Sequence, residues 1–313
     1  MKKIKHLLDL KNTPKEWIEE VFRVATSFKE VLTRPLKKVP ALRGKTVVNL
    51  FFEPSTRTRI SFEMAAKFLS ADVINFSTSV SSIQKGESLL DTLRNIESLS
   101  ADIVVVRDSS PGTPYILSKY TQASVVNAGD GTHSHPTQAL LDMFTVKQKK
   151  GRLEGLKVLI VGDILHSRVA RSNIEGFTKF GAQVSVCGPA NLIPFYISDW
   201  KVKVYYDFDQ ALEDKDVIIM LRIQRERQNK GYIPSLREYR YLYSLNRERF
   251  HRLKKDTLIM HPGPVNWDIE ISSKIKPYVH PLILEQVNNG LAIRMAVLYL
   301  LPFLLNGVDL LLS

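Results

Sequence analysis

One cysteine, Cys187, stands in 313 residues. That excludes an intramolecular disulfide framework and any structural zinc site built on several thiolates, and a reducing cytoplasm is the expected setting. Long apolar runs are also missing. The most apolar window, Leu291 to Leu312, is interrupted by Arg294, Pro302, Asn306 and Asp309. It falls short of the roughly 20 residues that cross a bilayer and is expected to be a buried helix. The opening MKKIKHLLDL begins basic like a secretory leader, but Asp9 and Lys11 break its apolar stretch, so no signal peptide is expected. Glycine and proline number only 15 each, beside 44% hydrophobic and 24% charged residues. This composition excludes collagen-like, low-complexity and disordered chains, and no repeat of solenoid period is present. Acid is in deficit, with 44 Lys and Arg against 32 Asp and Glu, a net charge of +12. Such a balance favours anionic partners: nucleic acid, an acidic protein, or small phosphorylated and carboxylated substrates.

What is present is an alternation of helix and strand signals over a length that suggests two domains. Thr13-Pro14-Lys15-Glu16 has the pattern of a capping box with Pro at the first helical position, followed by a helix on Trp17, Ile18, Val21, Phe22, Ala25 and Phe28. Strands are expected at Thr46 to Phe52, Val73 to Phe76, Ile103 to Val106 and Ser124 to Asn127, with helices at Ile60 to Leu69 and Leu89 to Leu99. A second series begins at Lys157, with strands at Val158 to Val161, Val184 to Val186, Val202 to Tyr206, Val217 to Leu221 and Leu258 to Met260, and a helix near Val169 to Phe180. A helix over Thr137 to Lys149 bridges the two series. Continuous apolar runs of this kind suit parallel sheets covered on both faces.

Five short segments carry chemistry. In Phe51-Phe52-Glu53-Pro54-Ser55-Thr56-Arg57-Thr58-Arg59 a strand gives way to a helix. Hydroxyls and a guanidinium at a helix N-terminus form a phosphate site, although a plain Ser/Thr cap with surface arginines would show the same residues. Gly129-Asp130-Gly131-Thr132-His133-Ser134-His135-Pro136-Thr137-Gln138 again joins strand to helix. There His135 and Gln138 lie one helical turn apart, and a neutral imidazole can donate to an oxygen gaining negative charge. A turn in which His135 merely packs is the alternative, and no carboxylate or thiol at ligand spacing supports a metal. Val158 to Asp163 leads into Arg168 like a dinucleotide-binding turn, but only Gly162 of the three required glycines is present, so no such cofactor is expected. Arg222 to Arg227 and the His261-Pro262-Gly263-Pro264 turn both follow strands, where ligands bind in open α/β sheets.

In order and spacing these segments closely resemble the catalytic chains of aspartate carbamoyltransferases, within the aspartate/ornithine carbamoyltransferase superfamily, and the likeness covers essentially the whole chain. It implies an α/β fold: two domains, each a mostly parallel sheet flanked by helices, joined by two interdomain helices. Residues 1–134 with 292–313 would bind carbamoyl phosphate and residues 135–291 would bind aspartate. By match, Ser55, Thr56, Arg57 and Thr58 hold the phosphate, and Thr58, Arg107, His135 and Gln138 address the carbamoyl group. Ser81 and Lys85 match residues supplied by a neighbouring subunit, which implies a homotrimer with shared sites. Arg168, Arg222 and Gln224 match aspartate-binding residues, with Lys85 beside them, and Pro262 and Gly263 match a turn whose carbonyls contact substrate. The implied reaction is attack of the aspartate amine on the carbamoyl carbon, an early step of pyrimidine biosynthesis. It needs no metal and no organic cofactor, and the departing phosphate is a candidate acceptor for the amine proton. Some relatives assemble with dihydroorotase and others with a zinc-containing regulatory chain. Two departures stand out: Trp267 where many bacterial relatives carry Arg, and Gly263 where some carry Leu, a change that leaves a backbone carbonyl contact possible.

Ornithine carbamoyltransferases share several of these elements, but place a Cys in a His-Cys-Leu-Pro turn to serve a cationic amine, whereas residues 261–264 here contain none. A reading of another class, a nucleic-acid-binding module, is prompted by Arg222 to Lys255, which holds 11 basic and 3 acidic residues with Tyr232, Tyr239, Tyr241 and Tyr243 interleaved. Basic residues with aromatics can track a phosphate backbone and stack bases. A solvated loop beside an anionic substrate is the reading preferred, with neither nucleic acid nor membrane as partner. Docking of an acidic partner on the same segment is a third.

Overall fold

The structure is a computed structural model that describes residues 3–77, 89–98, 100–223 and 235–303. The chain divides into two compact units, Met1–Leu140 with Asn288–Ser313, and Leu141–Val287.

In the first unit, α1 (Lys15–Thr33) precedes β1 (Thr46–Phe51), α2 (Thr56–Phe68), β2 (Asp72–Ser77), α3 (Leu89–Ser98), β3 (Ile103–Asp108), α4 (Thr113–Ser118) and β4 (Ser124–Asp130). The four strands form one parallel sheet in the order β2-β1-β3-β4. Burial runs along β1, β3 and β4 without alternation, as a sheet covered on both faces requires. Amphipathic α1 buries Trp17, Ile18, Val21, Phe22, Ala25 and Phe28. Its start differs from the expected capping box: Pro14 occupies the cap position without a side-chain bond, and the Thr13 hydroxyl donates back to the Asp9 carbonyl. Proline at the cap position has no side-chain acceptor to offer the first N–H groups of the helix.

The helix α5 (Pro136–Lys150) carries the chain from the first unit into the second. There β5 (Lys157–Val161), α6 (Arg168–Lys179), β6 (Gln183–Cys187), β7 (Lys203–Tyr205), α7 (Phe208–Ala211), β8 (Val217–Met220), α8 (Leu236–Tyr243), α9 (Arg247–His251) and β9 (Leu258–Met260) follow in turn. Five parallel strands lie in the order β7-β6-β5-β8-β9. Their core joins Leu159, Val161, Ile218, Met220 and Ile259 to Tyr239, Tyr243, Ile275 and Val279. The long α10 (Lys276–Phe303) then returns the chain to the first unit, burying Ala292, Ile293, Ala296 and Val297. It starts well before the apolar window that announced it. Among the described residues no helix is long and apolar enough to cross a membrane.

Each sheet changes direction of growth once, between β1 and β3 in the first unit and between β5 and β8 in the second. The carboxyl ends of strands at such a switch point form a crevice where ligands bind. Cys187 ends β6 as a core residue, its thiol pushed up to about 12 mainly by burial. Beside it the backbone of β5 and β6 closes tightly, because a Cβ on Gly188 would stand 2.3 Å from the Gly162 carbonyl oxygen. Gly188→Ala should therefore push two strand ends apart and lower stability by about 1–3 kcal/mol. Urea unfolding measures this, and an unchanged midpoint would mean that the crossing yields without cost.

Candidate functional site

At the first switch point, β1 ends at Phe51, opposite Arg107 on β3. The N–H groups of Phe52 and Glu53 both donate to the Arg107 carbonyl, at 2.8 and 3.4 Å, which fixes the exit of β1. Thr56 opens α2, four residues before the apolar pattern alone suggested, so Thr56, Arg57 and Thr58 form the helix's first turn. Ser55 holds the cap position with extended backbone and makes no cap bond of its own. Ser55 and Thr58 are half-buried, whereas Thr56 and Arg57 are exposed. The first N–H groups of a helix have no intrahelical acceptor, and the positive end of its dipole lies among these hydroxyls.

Arg107 is held from two sides. One guanidinium nitrogen donates to the Ala128 carbonyl at 3.1 Å and the other meets the Glu53 carboxylate at 3.3 Å. On the adjacent strand, β4 ends at Asp130, whose carboxylate accepts from the Gly112 N–H at 2.7 Å, the Asn127 amide at 2.8 Å and the Ser134 N–H at 3.0 Å. The His133 ring nitrogen lies 2.9 Å from the same group. This carboxylate shapes the turn that delivers His135, buried just before α5, and Gln138 within its first turn. Burial alone would raise the pKa of Asp130, but hydrogen bonds from His133, Asn127 and the Gly112 N–H outweigh it and hold the carboxyl below its ordinary value.

In the second unit the register pairs Val161 with Met220 and Ile219 with Met260. Asp163, Arg222 and Pro262 therefore leave the sheet at one edge. Arg168, buried, opens α6 behind a cap in which the Ser167 hydroxyl accepts from the Ala170 N–H at 3.1 Å. Arg222 is half-buried beyond β8. Glu270, with no exposed surface, organises these loops: it accepts from the Ile223 N–H at 2.9 Å and from the Asn266 N–H and amide at 2.7 and 2.8 Å. Its carboxylate also lies 3.7 Å from the His261 ring. His261 accepts from the Gly263 N–H at 2.8 Å through Nδ1, which leaves Nε2 as the protonated nitrogen facing Glu270. Gly263 has φ 68°, the left-handed region that glycine enters without strain. The His261 N–H donates to Gln286, whose amide donates to Asp142, so the turn is tied back to α5 and α10.

The sequence-predicted residues thus fall into two groups, Ser55, Thr56, Arg57, Thr58, Arg107, His135 and Gln138 on one sheet edge, and Arg168, Arg222, Pro262 and Gly263 on another. Ser81, Lys85 and Gln224 lie outside the described residues. Trp267 packs against the second core, with the Lys276 ammonium 5.2 Å from its ring centre. Among the described residues no group of three or more His, Cys, Asp or Glu could hold a metal ion. Sequence reasoning gave Asp130 only a part in permitting a tight turn, and gave no role to Glu53 or Glu270. Glu53 stood inside a quoted motif, but nothing local marks a carboxylate whose partner lies 54 residues away.

A family model described as aspartate/ornithine carbamoyltransferase, carbamoyl-P binding domain, matches residues 5–148, and one described as the Asp/Orn binding domain of the same family matches residues 154–301. The chain is 58% identical over 299 residues to the aspartate carbamoyltransferase catalytic subunit of Halothermothrix orenii, with 96% of each chain covered. Among solved structures, the catalytic subunit of M. jannaschii aspartate transcarbamoylase is similar with a TM-score of 0.84 and 37% identity, over 97% of this chain and 100% of that one. The Trypanosoma cruzi aspartate transcarbamoylase in complex with carbamoyl phosphate and aspartate also has a TM-score of 0.84, at 26% identity over 95% of this chain and 96% of that one.

Asp130 offers a direct test of how its edge is held together. A carboxyl whose folded pKa is depressed stabilises the fold fully above its unfolded value and loses that contribution as the pH falls through the folded one. Asp130→Asn is expected to cost about 1–3 kcal/mol at pH 7. The gap from wild type should narrow below the ordinary carboxylate range; thermal melts at pH 7 and pH 3 measure it, and a gap that stays constant would refute the assignment.

Proposed function

The chain belongs to the aspartate/ornithine carbamoyltransferase family, and we propose that the two sheet edges carry its reaction with aspartate as acceptor, the first unit binding carbamoyl phosphate and the second the dicarboxylate. The enzyme transfers the carbamoyl group of carbamoyl phosphate to the amine of L-aspartate, giving N-carbamoyl-L-aspartate and phosphate, an early step of pyrimidine biosynthesis. The phosphate rests on the first turn of α2, on Ser55, Thr56, Arg57 and Thr58, where N–H groups, hydroxyls and a guanidinium converge. Thr58, Arg107 and His135 donate to the carbamoyl oxygen, with Gln138 at the carbamoyl amine. The amine nitrogen forms its bond to the carbamoyl carbon, and the oxygen carries the developing negative charge. When the carbon–oxygen bond to phosphate breaks, the electron pair leaves with phosphate, which takes the amine proton.

The observation that carries this reading is the clamp on Arg107. Glu53 and the Ala128 carbonyl hold the guanidinium at the carboxyl end of β3, beside the turn of α2. A donor fixed before the reaction stabilises an oxyanion without reorganising, and losing one such donor typically costs about 3 kcal/mol of barrier. On the second edge, Arg168 and Arg222 match the two carboxylates of aspartate. A cationic ornithine side chain would face guanidiniums there, and Cys187, buried in β6, is separated by β5 and β8 from the strand that leads into the 261–264 turn.

Assembly as a homotrimer, with Ser81 and Lys85 completing a neighbour's site, is part of the same proposal. Apolar side chains exposed on the first unit support it: Ile60 and Met64 one turn apart on α2, and Ile74 on the edge strand β2, are 48, 37 and 39% exposed.

Carbamoyl-aspartate should form from carbamoyl phosphate with L-aspartate, and no product should form with L-ornithine. Arg107→Ala is expected to lower kcat about 100- to 1000-fold. Glu53→Gln, which weakens one of the two holds on the guanidinium and leaves the Ala128 carbonyl in place, should lower kcat less. Comparable turnover with ornithine would overturn the substrate assignment.

A further inference from the structure

The basic stretch around α8 and α9 is not used by the reaction, and its geometry is specific. Tyr239 and Tyr243, one turn apart on α8, are buried with ring centres 5.5 Å apart, so two of the tyrosines that suggested base stacking belong to the core. The opposite face of α8 presents Arg237, Arg240 and Tyr241 to solvent, and Tyr241 is 80% exposed. Together with Tyr206, 58% exposed, they border an open groove of about 830 Å³.

The charges in this groove are unequally committed. Asp209 is engaged by Arg249 at 2.8 Å and by Arg252 at 2.6 Å, and its carboxyl is held below its ordinary value chiefly by Arg249. Buried Arg249 also donates to the carbonyls of Ser244 and Tyr241, at 2.8 and 3.2 Å, and so staples α7 to the α8–α9 connection. Asp207 is occupied in capping α7, accepting from the N–H groups of Asp209 and Gln210 at 2.8 and 3.2 Å. Neither Arg237 nor Arg240 lies within ion-pair distance of a described carboxylate, although Arg240 is near enough to Asp268 to help its Ser273 hydrogen bonds hold that carboxyl below its ordinary value. Residues three apart on a helix are neighbours, so these two forks form one cationic edge.

We propose that this groove docks an acidic polypeptide segment of a partner protein, with carboxylates on Arg237 and Arg240 and side-chain stems against Tyr206 and Tyr241. Charge complementarity selects the occupant. Guanidinium forks match carboxylates bidentately, and exposed tyrosines supply rigid contact area. The carboxylates of Asp207, Asp209 and Glu248 along the lining favour a polypeptide, which brings backbone N–H donors as well as anions, over a polyphosphate or a DNA backbone, which brings only acceptors.

The test measures binding of a fluorescein-labelled copolymer of Glu and Tyr to the full chain by fluorescence anisotropy. The double variant Arg237→Glu/Arg240→Glu is compared with Lys37→Glu/Lys38→Glu, which makes the same change in net charge at exposed residues elsewhere. The groove variant should weaken binding at least tenfold and the control less than twofold, with carbamoyl transfer unchanged in both and binding unaffected by carbamoyl phosphate. Equal loss in the two variants would reduce the effect to net charge and overturn the proposal, as would absence of binding to wild type. Tighter binding of a labelled single-stranded RNA, lost in the groove variant, would replace the peptide by nucleic acid. The neutral pair Arg237→Gln/Arg240→Gln, with circular dichroism on every variant, separates lost binding from lost folding.

Discussion

Carboxylates placed inside the protein and surrounded by N–H donors hold both sheet edges in working order. A buried anion is costly unless its lone pairs are engaged, and that cost makes it selective. Glu270 can stay inside only while the backbone after β8, the Asn266 loop and the His261 turn converge on it. Asp130 imposes the same condition on the Gly112 and Ser134 segments of the other unit. Loops that would otherwise be loosely packed become single-valued, and the side chains they deliver, His135 on one edge and Arg222 on the other, inherit that precision.

Much of the frame was legible because parallel strands covered on both faces are written as unbroken apolar runs. Val47 to Phe51, Ile103 to Val106 and Val158 to Val161 needed only that periodicity. The anion-binding character of residues 55–58 was legible too, since hydroxyls after a strand mark a helix start. The true start at Thr56 was not, because the first turn of α2 carries no apolar residue to announce it. Helix α10 was recognised only in its apolar half: Pro277, Pro281 and Glu285 mask the half exposed to water. Least legible were Glu53, Asp130 and Glu270. Glu53 and Glu270 depend on Arg107 and Ile223, partners brought near by topology, whereas most of Asp130's partners stand within four residues of it and what a sequence window hides there is the burial of the carboxylate.

The net charge of +12 shows how little a total says about a site. Some of the excess meets nearby acids, as where Lys157 and Lys254 both engage Asp214, whose carboxyl is held down to about 2 chiefly by Lys157. Asp214 is exposed, so water and salt screen such contacts strongly. The guanidiniums that matter to chemistry differ in being anchored: a fork bound on its rear to a carbonyl and a carboxylate, as Arg107 is, gives up little entropy when an anion arrives in front.

The two crossings of the chain through α5 and α10 also set an order of events during synthesis. Because the first unit is completed by Asn288–Ser313, its nearest structural neighbours in sequence leave the ribosome while the segment that closes its core is still untranslated. Ala292, Ile293, Ala296 and Val297 are buried there only once α10 is made. The interrupting unit, Leu141–Val287, is continuous in sequence and can close first. A ribosome pausing within the codons for α10 would therefore hold a nascent chain whose earlier-made unit is the one still unfinished.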